Sequence, residues 1–433
     1  MTTVHIVGAG LAGLASAVRL TQAGRKVVLY DQADHAGGRC RSYHDSVLDR
    51  RIDNGNHLLL SANKAARGYL AAVGADDSLT GPSCAAFPFV DLASGRRWEV
   101  TFADGPLLGR LPLPPRGIPD VTPAQFAGAL RLLKAGPDAT VAETLERDMA
   151  LYRHFWEPLS VAALNTECAA ASASLLWPIL AETVLRGGRN CRPLVARDGL
   201  SESFVDPALA WLQARGTELR LGWRLRRMSF AGDRVATLDF AGDRTVAIDG
   251  AAVLALPPAS AQRVLPDLDP PLETRAIVNG HFRVDSPLPQ LPYDSPLIGV
   301  LGGTAEWIFL RRDVVSVTVS AADRLAEVDE SIIAARMWSD IGNALGIRYG
   351  GIDCGNGVPP YRIVKEKRAT FAQTPSAVRK RPKPRTRWSN LVLAGDWTDT
   401  GLPATIEGAI RSGNAAADLL QLGNSASQLV NNP

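Results

Sequence analysis

The chain opens with an apolar run, a glycine-rich turn and a segment with helical periodicity, an order that predicts a strand followed by a helix. The apolar run is Val4–Val7, and the helical pattern covers residues 11–23 and stops at Gly24. Glycine directly after the last periodic position is a frequent helix end. A second apolar run, Lys26–Tyr30, follows, so residues 3–31 predict a β-α-β unit.

Patterns in the rest of the chain predict that this α/β unit is interrupted by a second lobe. Helical patterns cover residues 140–186, an α/β pattern returns at 199–258, strand-type runs dominate 261–385, and a strand and a long helix follow at 391–421. The predicted fold class is α/β, with a Rossmann-like nucleotide-binding domain built from discontinuous segments and an α+β substrate-binding lobe. The domain is predicted at 1–80, 196–260 and 386–425, the lobe at 81–195 and 261–385, and a flexible tail at 426–433.

Within the lobe, a proline-rich stretch at 105–119 precedes a helix that is predicted to begin at Thr122-Pro123. One face of this helix is predicted to carry Phe126, Leu130 and Leu133, while Arg131 and Lys134 lie beside it. Two interpretations stay open. The apolar face packs on the core with the basic side in water, or the stretch and the helix together dock on a membrane surface.

Composition and charge exclude several classes of protein. Of the 433 residues, 47 are basic and 44 acidic, and this balance argues against a nucleic-acid-binding protein. The five cysteines are widely spaced without a metal-ligand pattern, which predicts no metal site and fits a reducing cytoplasm. No uncharged stretch reaches the roughly 20 residues needed to span a bilayer. We therefore expect a cytoplasmic protein, either soluble or peripheral on the inner face of the membrane.

Two local basic runs interrupt this balance, Lys365–Arg368 and Arg379–Arg385. A run of like charges is usually a solvated loop. The alternative is contact with acidic lipid headgroups or with a phosphate.

The first glycine-rich turn has the spacing of a dinucleotide-binding loop. Gly8 permits the tight turn, Gly10 lets the main chain approach a pyrophosphate, and Gly13 lets the helix pack on the strand. Leu11 and Ala12 open that helix, whose free N–H groups favour phosphate. The remaining member of the motif is Asp31, an acid at the end of the second strand that can accept hydrogen bonds from ribose hydroxyls.

Further segments favour FAD as the dinucleotide. A second loop, Gly37-Gly38-Arg39, offers an arginine fork to phosphate or flavin oxygens. Gly395-Asp396 follows a buried strand, where the carboxylate can bind the sugar-alcohol chain of a flavin. Thr405 and Ile406 open the last helix, whose N-terminal dipole favours negative charge on a reduced flavin. The polar loop Asp53–His57 either forms a plain turn or lies near the flavin ring, with Asn54 and Gly55 at the cofactor.

Together, the three motif glycines, Gly37-Gly38-Arg39, Leu393–Asp396 and Glu407–Ala409 resemble the flavin amine oxidase and phytoene desaturase superfamily. The resemblance implies FAD as the cofactor and places the main chain of Leu225 beside the adenine. The chain departs from the superfamily at Asp31, where a glutamate is common, so the ribose must lie closer to this shorter side chain.

Shorter motifs resemble the squalene-associated branch of that superfamily, the hydroxysqualene dehydroxylases. These motifs are Asp53–His57, Ala162–Thr166 and Trp397–Glu407. The resemblance implies an apolar isoprenoid substrate, reductive dehydroxylation of hydroxysqualene to squalene, and a functional link to squalene-pathway synthases. The reaction needs an acid for the departing hydroxyl, and residue type and position suggest His57 or Tyr361.

Three alternatives belong beside this interpretation. Desaturation of a phytoene-like carotenoid precursor is the nearest. Amine oxidation ranks lower, because no cysteine lies near the C-terminal flavin segment. A lipid-binding protein without activity is disfavoured, because Arg39, Asp396 and the motif glycines are all present.

Overall fold

A computed structural model of the chain describes residues 2–104, 114–145, 149–285, 287–347 and 357–430, with side chains described as far as Leu422. Strands and helices are numbered here in chain order. The strands are β1 Thr3–Val7, β2 Lys26–Tyr30, β3 Ser42–Asp45, β4 Arg50–Asp53, β5 Leu59–Leu60, β6 Leu79–Thr80, β7 Ala85–Asp91, β8 Arg97–Phe102, β9 Pro193–Ala196, β10 Glu218–Arg220, β11 Leu225–Ala231, β12 Arg234–Phe240, β13 Arg244–Ala247, β14 Ala251–Leu254, β15 Thr274–Arg283, β16 Leu297–Leu301, β17 Trp307–Arg311, β18 Val314–Val319, β19 Tyr361–Phe371 and β20 Leu391–Leu393.

The α-helices are α1 Leu11–Gln22, α2 Lys64–Ala72, α3 Val141–Leu145, α4 Met149–Leu151, α5 Glu157–Leu164, α6 Ala173–Glu182, α7 Asp206–Gln213, α8 Pro258–Val264, α9 Glu330–Leu345, α10 Pro375–Arg379 and α11 Ile406–Val430. Two π-helical turns, Tyr152–Trp156 and Ser201–Val205, run directly into α5 and α7. Short 3₁₀ helices lie at Pro123–Lys134, Val184–Arg186, Gly188–Asn190, Pro292–Asp294 and Leu325–Glu327. Helix α11 extends five residues into the predicted tail 426–433, and residues 431–433 lie outside those described.

A five-stranded parallel sheet forms the nucleotide-binding part of the α/β fold. Its strand order is β10-β2-β1-β14-β20, and every pair in it is parallel. Strands β1, β2, β14 and β20 are almost wholly buried, as apolar runs between two covering layers predict, whereas the edge strand β10 is partly exposed. They come from three widely separated stretches of the chain, while the exact domain boundaries stay a prediction.

Helices α1 and α11 cover one face of this sheet and pack closely on each other. A Cβ added to Gly413 of α11 would lie 2.2 Å from the carbonyl oxygen of Ala12 in α1. The Ser16 hydroxyl donates to the main-chain oxygen of Gly413 at 2.9 Å. The small residues of α11 therefore bring the C-terminal helix against the start of α1, where the glycine loop ends. On the other face, the meander β11-β12-β13 packs its apolar side chains on the sheet.

A second, seven-stranded sheet organises the lobe in the order β19-β15-β18-β17-β16-β7-β8. Its strands come from both parts of the chain predicted to form the lobe. Helix α9 packs on one face, where Val278, Val317 and Met337 are buried. Aromatic side chains and the helices of residues 141–182 pack on the opposite face, towards the β7 end. Because side chains alternate along a strand, each strand contributes to both layers.

The β3–β4 hairpin ties the lobe sheet to the nucleotide-binding part through buried carboxylates. Asp53 of β4 accepts from Arg311 of β17 at 2.6 Å, and Asp45 of β3 accepts from Arg362 of β19 at 2.5 Å. Hydrogen bonds from Val47 and Leu48 and the pair with Arg362 hold the pKa of Asp45 below its usual value, against the opposing effect of burial.

The helix at Pro123–Lys134 differs from its prediction in helix type, and the difference changes which side chains it exposes. It begins with the predicted Thr122 and Pro123, but it is a 3₁₀ helix with three residues per turn. Phe126 therefore shares a face with the buried Ala129 and Leu132, and it packs on Phe155 and Trp156. The prediction of one apolar face for Phe126, Leu130 and Leu133 is wrong, because it assumed the α-helical period. Leu130 and Leu133 form a separate ridge that is 54% and 57% exposed.

None of the helices in the described residues combines the length and apolarity needed to cross a membrane. Residues 105–113 of the predicted proline-rich stretch lie outside the described residues.

Candidate functional site

The glycine loop between β1 and α1 is shaped by contacts that exclude larger side chains. Gly8 has a φ of +111°, and a Cβ there would lie 2.2 Å from the carbonyl oxygen of Ala255. A Cβ on Gly13 would lie 1.8 Å from the carbonyl oxygen of Gly8. At Gly10, by contrast, an added Cβ would meet nothing within 4 Å. Gly10 therefore faces open space beside the N-terminus of α1, as a pyrophosphate-binding loop requires.

The second glycine loop lies directly against the first. The Gly37 N–H donates to the carbonyl oxygen of Ala9 at 2.8 Å. Gly38 has a φ of +59°, and its added Cβ would be 3.4 Å from the Cα of Gly10. The two loops thus form one continuous glycine surface, and Gly38 lets Arg39 follow close to it.

Asp31 connects the glycine loop to the region predicted to bind adenosine. Its carboxylate accepts from the main-chain N–H groups of Ala9 at 2.7 Å and Ala33 at 2.9 Å. The Trp223 N–H donates to the Asp31 carbonyl oxygen at 2.7 Å, which brings the chain before Leu225 next to this acid. A carboxylate has about four acceptor positions. Asp31 therefore fixes the loop and still has capacity for ribose hydroxyls.

Arg39 and Asp396 form an ion pair between the two halves of the predicted cofactor site. Nη2 of Arg39 lies 2.8 Å from each carboxylate oxygen of Asp396, and Nη1 donates to the carbonyl oxygen of Ala369. The Asp396 carboxylate raises the pKa of the Arg39 guanidinium. The Arg39 side chain is still 43% exposed although three chain segments surround it. It therefore lines open space between those segments.

The loop from Gly395 to Thr405 leads from β20 into α11. The Gly395 N–H donates to Oγ of Ser412 at 2.9 Å, and the Gly408 N–H donates to Oγ1 of Thr405 at 3.1 Å. Thr405 thus caps the start of α11, which begins at Ile406. The remaining N–H groups of this helix start can stabilise negative charge.

These features fit FAD. The open face of Gly10 and the N-terminus of α1 suit the pyrophosphate, Asp31 suits the ribose, and Arg39 with Asp396 suits the phosphate and the sugar-alcohol chain. The start of α11 suits the electron-rich end of the flavin ring. The structure brings together the residues predicted at the glycine loops, at Asp31 and at Arg39 with Asp396.

The loop after β4 has a more structural role than its polarity predicts. Asp53 accepts from Oγ of Ser42 at 2.6 Å, from the Leu200 N–H at 3.0 Å and from Arg311. It is buried and fully engaged within the protein. Asn56 donates to Oγ1 of Thr318 at 3.0 Å, which lays the loop on the lobe sheet.

Asn54 and Gly55 are held in that same loop. The Asn54 N–H donates to the carbonyl oxygen of Arg41 at 2.9 Å. An added Cβ on Gly55 would come within 3.0 Å of Nδ2 of Asn279. Contact of Asn54 and Gly55 with the cofactor stays a prediction.

The two residues predicted as acids lie on opposite sides of the lobe sheet. His57 follows the loop on the side of Arg39, whereas Tyr361 packs near Phe282 on the side of α9. Burial, together with the nearby Arg39 cation, lowers the pKa of His57 to about 4. His57 is therefore neutral at physiological pH and has no imidazolium proton to donate.

Sequence reasoning did not identify Glu306, which lies directly before Trp307 of β17. Its carboxylate accepts from the Ser320 N–H at 2.8 Å, at the end of β18. Burial raises the pKa of Glu306 to about 7, although the hydrogen bond from Ser320 lowers it. An isolated glutamate carries no sequence signal, because its significance depends on pairing across the sheet.

Sequence reasoning also missed Gln373, which joins the lobe helices to the C-terminal loop. Its side chain donates to the carbonyl oxygen of Leu164 at 2.6 Å and accepts from the Ala404 N–H at 2.9 Å. Asn165 accepts from the Ala321 N–H at 2.7 Å and donates to Oγ1 of Thr370 at 3.0 Å. These buried amides connect four segments that are distant in sequence, at residues 164–165, 321, 370–373 and 404.

A two-lobed α/β fold with paired glycine loops and an Arg–Asp contact at the cofactor position defines a flavin-dependent oxidoreductase. The family model described as flavin-containing amine oxidoreductase matches residues 11–421. A hydroxysqualene dehydroxylase from Rhodopseudomonas palustris is 46% identical over 420 residues, which cover 96% of this chain and 98% of that protein. The chain belongs to the flavin-containing amine oxidoreductase family and, within it, to the hydroxysqualene dehydroxylases.

The chain is also similar, at lower identity, to one further protein and to one solved structure. A 15-cis-phytoene desaturase from an Oncidium hybrid is 22% identical, with 96% of this chain and 77% of that protein covered. The solved structure of cyclohexylamine oxidase from Brevibacterium oxydans has a TM-score of 0.70 at 16% identity, over 98% of this chain and 99% of that one. The latter similarity shows the shared fold, and the family match identifies FAD as the cofactor.

Replacing Asp396 by asparagine tests the cofactor site. Asp396→Asn removes the charge that pairs with Arg39, and we expect the dissociation constant of FAD to rise about 10- to 100-fold. Titration of the apoprotein with FAD, followed by flavin fluorescence, measures this change. The control Asp418→Asn removes an exposed partner of Arg19 and should leave FAD affinity unchanged. Equal affinities in both variants would contradict the assignment.

Proposed function

We propose that the chain catalyses the FAD-dependent reductive dehydroxylation of hydroxysqualene to squalene. The observation that carries this proposal is the identity to a hydroxysqualene dehydroxylase along nearly the full length of both chains. The phytoene desaturase is far more distant, so desaturation of a carotenoid precursor ranks second. Amine oxidation ranks lowest, since the similarity to an amine oxidase extends to the fold alone.

The reaction sets three tasks for the protein. Replacing a C–OH bond by a C–H bond adds one hydride equivalent, consumes one proton and releases water. FAD, when bound and reduced, supplies the electron pair of the new bond. The chain itself must hold the isoprenoid in place, keep bulk water away and provide a proton for the departing hydroxyl.

The side of the lobe sheet that faces away from α9 offers an apolar wall for the isoprenoid. Phe89 and Trp307 are buried there with ring centroids 5.4 Å apart. Other apolar side chains that pack on this cluster keep part of their surface accessible, among them Leu58, Phe87, Leu159, Trp177 and Leu301. An apolar wall stabilises a long hydrocarbon through its buried area, about 25 cal/mol per Å². We expect the isoprenoid chain to contact these residues.

Polar side chains on β18 border this wall on the side of the cofactor residues. Ser316 and Thr318 alternate along the strand, Ser320 follows directly after it, and Thr318 lies opposite Trp307 in the strand pairing. Thr318 binds Asn56 beside His57, whereas Ser320 binds Glu306. Successive residues on one face of a strand are about 7 Å apart. Glu306 is therefore placed where the polar stripe meets the aromatic wall.

Glu306 suits the role of proton donor better than His57. Its raised pKa of about 7 keeps a large fraction of the carboxyl protonated near neutrality, while His57 is already neutral. Glu157 of α5 is the charged residue that acts on Glu306, and it raises the same pKa further. We therefore assign the proton to Glu306 within this proposal.

The dependence of rate on pH tests this assignment. If Glu306 donates the proton, the rate should fall as pH rises through about 7, because the carboxyl loses its proton there. Glu306→Gln should lower the rate at pH 6 by about 10²–10⁴-fold and remove this step. His57→Asn is the control and should keep the step. A Glu306→Gln enzyme with an unchanged rate and pH profile would exclude Glu306 as the donor.

Anaerobic turnover tests the reaction itself. The pre-reduced holoprotein is mixed with hydroxysqualene, and flavin absorbance and squalene are followed together. We expect one squalene for each flavin that is reoxidised. The oxidised protein is offered phytoene in parallel. Desaturated phytoene without squalene formation would instead support the alternative reaction.

We also propose that the protein takes its substrate from a membrane surface. Leu130 and Leu133 form an exposed ridge on the helix Pro123–Lys134, with the cations Arg131 and Lys134 beside them. Apolar side chains flanked by cations suit the interface of a bilayer that contains anionic lipids. The helix also packs through Phe126 on the aromatic cluster of the lobe, so the ridge and the apolar wall belong to elements that pack on the same cluster. The link to squalene-pathway synthases stays a prediction.

Sedimentation with liposomes containing anionic lipid tests membrane docking. Leu130→Glu combined with Leu133→Glu should reduce the bound fraction severalfold, because two anions would replace the apolar ridge. Ile332→Glu on α9 changes an exposed apolar residue elsewhere and should not alter binding. Equal sedimentation of the wild type and the double variant would rule out docking through this ridge.

A further inference from the structure

The basic run Arg379–Arg385 contains one arginine that differs from its neighbours. Arg379 is 53% exposed and pairs with Asp138, while Lys380 pairs with Asp269 at the surface. Arg381 is only 7% exposed. The sequence left open a solvated loop or a contact with acidic lipid headgroups or a phosphate, and neither a solvated loop nor a lipid contact accounts for a buried guanidinium at the centre of the run.

Arg381 holds the main chain of the loop that carries Asp396. Its Nη2 donates to the carbonyl oxygens of Asp396 at 3.3 Å and Thr398 at 2.5 Å, and lies 3.3 Å from Oγ1 of Thr400. In return, the Asp399 N–H donates to the carbonyl oxygen of Pro382 at 2.8 Å. The two segments are therefore fixed to each other from both sides.

The surroundings of Arg381 lie close to those of Arg39, and both arginines bind Asp396. Its guanidinium carbon lies 5.5 Å from the centre of the Phe371 ring, a cation–π contact. Phe371 follows Ala369 by two residues, and the Ala369 carbonyl oxygen accepts from Arg39. One arginine thus binds the carboxylate of Asp396, and the other binds its main-chain oxygen.

Burying this cation has a cost that a purely structural role does not explain. Nε and Nη1 of Arg381 are buried without a hydrogen-bond partner among the described residues. Burial lowers the pKa of Arg381, although Asp399 and Asp396 oppose that effect. An apolar side chain at such a position often serves fold stability equally well. A buried and incompletely hydrogen-bonded charge next to the cofactor site therefore indicates a function in that site.

We propose that Arg381 is a positioning residue of the FAD site, which holds residues 396–400 so that Asp396 can face both Arg39 and the cofactor. The role concerns cofactor binding and is independent of which isoprenoid the enzyme reduces. Arg381 acts through Asp396, since its contacts are to the main chain of that loop.

FAD titration of apoprotein variants tests the proposal. Arg381→Met should raise the dissociation constant of FAD about 10- to 100-fold, because the loop loses its shared donor. Arg379→Met removes an exposed cation from the same run and should stay within about twofold of the wild type. If Arg381→Met does not fold, the dissociation constant of FAD for Arg381→Lys tests the proposal instead. That variant keeps the charge but lacks the planar fork, and a loss of about tenfold or more is expected.

A double variant separates positioning from general stability. If Arg381 acts through Asp396, Arg381→Met combined with Asp396→Asn should bind FAD no more weakly than Asp396→Asn alone. Losses that multiply in the double variant would overturn the proposal. So would wild-type FAD affinity in both Arg381→Met and Arg381→Lys. Neither result depends on substrate turnover, so failure here would leave the proposed reaction intact.

Discussion

The contact between Arg39 and Asp396 is the interaction on which the cofactor site depends. It joins side chains 357 positions apart, one after the second glycine loop and one after the last strand of the parallel sheet. A guanidinium has five donors and a carboxylate about four acceptor positions, so pairing leaves both groups able to bind a ligand. The pair therefore organises the site and remains available to FAD. The surrounding contacts, from Ala369 on one side and Arg381 on the other, keep it in place.

The seven-stranded sheet connects the cofactor to the apolar part of the lobe. One face changes from polar side chains on β15 and β18 to aromatic side chains on β17 and β7. The loop Asn54–His57 lies on the polar end, close to Arg39. A single sheet can thus present charge-stabilising groups to a flavin and a hydrocarbon surface to an isoprenoid. The transition occurs near Trp307 and Glu306, where the proposed proton transfer is placed.

The sequence predicts this fold and cofactor well where local rules apply. Gly8, Gly10 and Gly13 follow from steric requirements at one turn, and strands such as β2 follow from uninterrupted apolar runs. The roles of Asp53, Glu306 and Arg381 could not be predicted in this way. Asp53 is engaged by Arg311, Glu306 by Ser320 and Arg381 by the loop at Asp396, all through pairings distant in the chain. For the helix at Pro123–Lys134, the pattern predicts the wrong set of side chains on one face. The helix has the 3₁₀ period, which tertiary packing selects over the α-helical one.

The interleaved order of the parallel sheet has a consequence for how the protein matures. Strand β20 is made of residues 391–393 yet pairs with β14, which lies beside β1. A nascent chain that has emerged as far as α10 carries both glycine loops but lacks β20, Asp396 and α11. Domains usually fold as units during synthesis, and this one cannot close before β20 and α11 have been made. Flavin uptake therefore follows the synthesis of β20 and α11, and a flavin-loaded molecule is one in which β20 has already joined the sheet that β1 began.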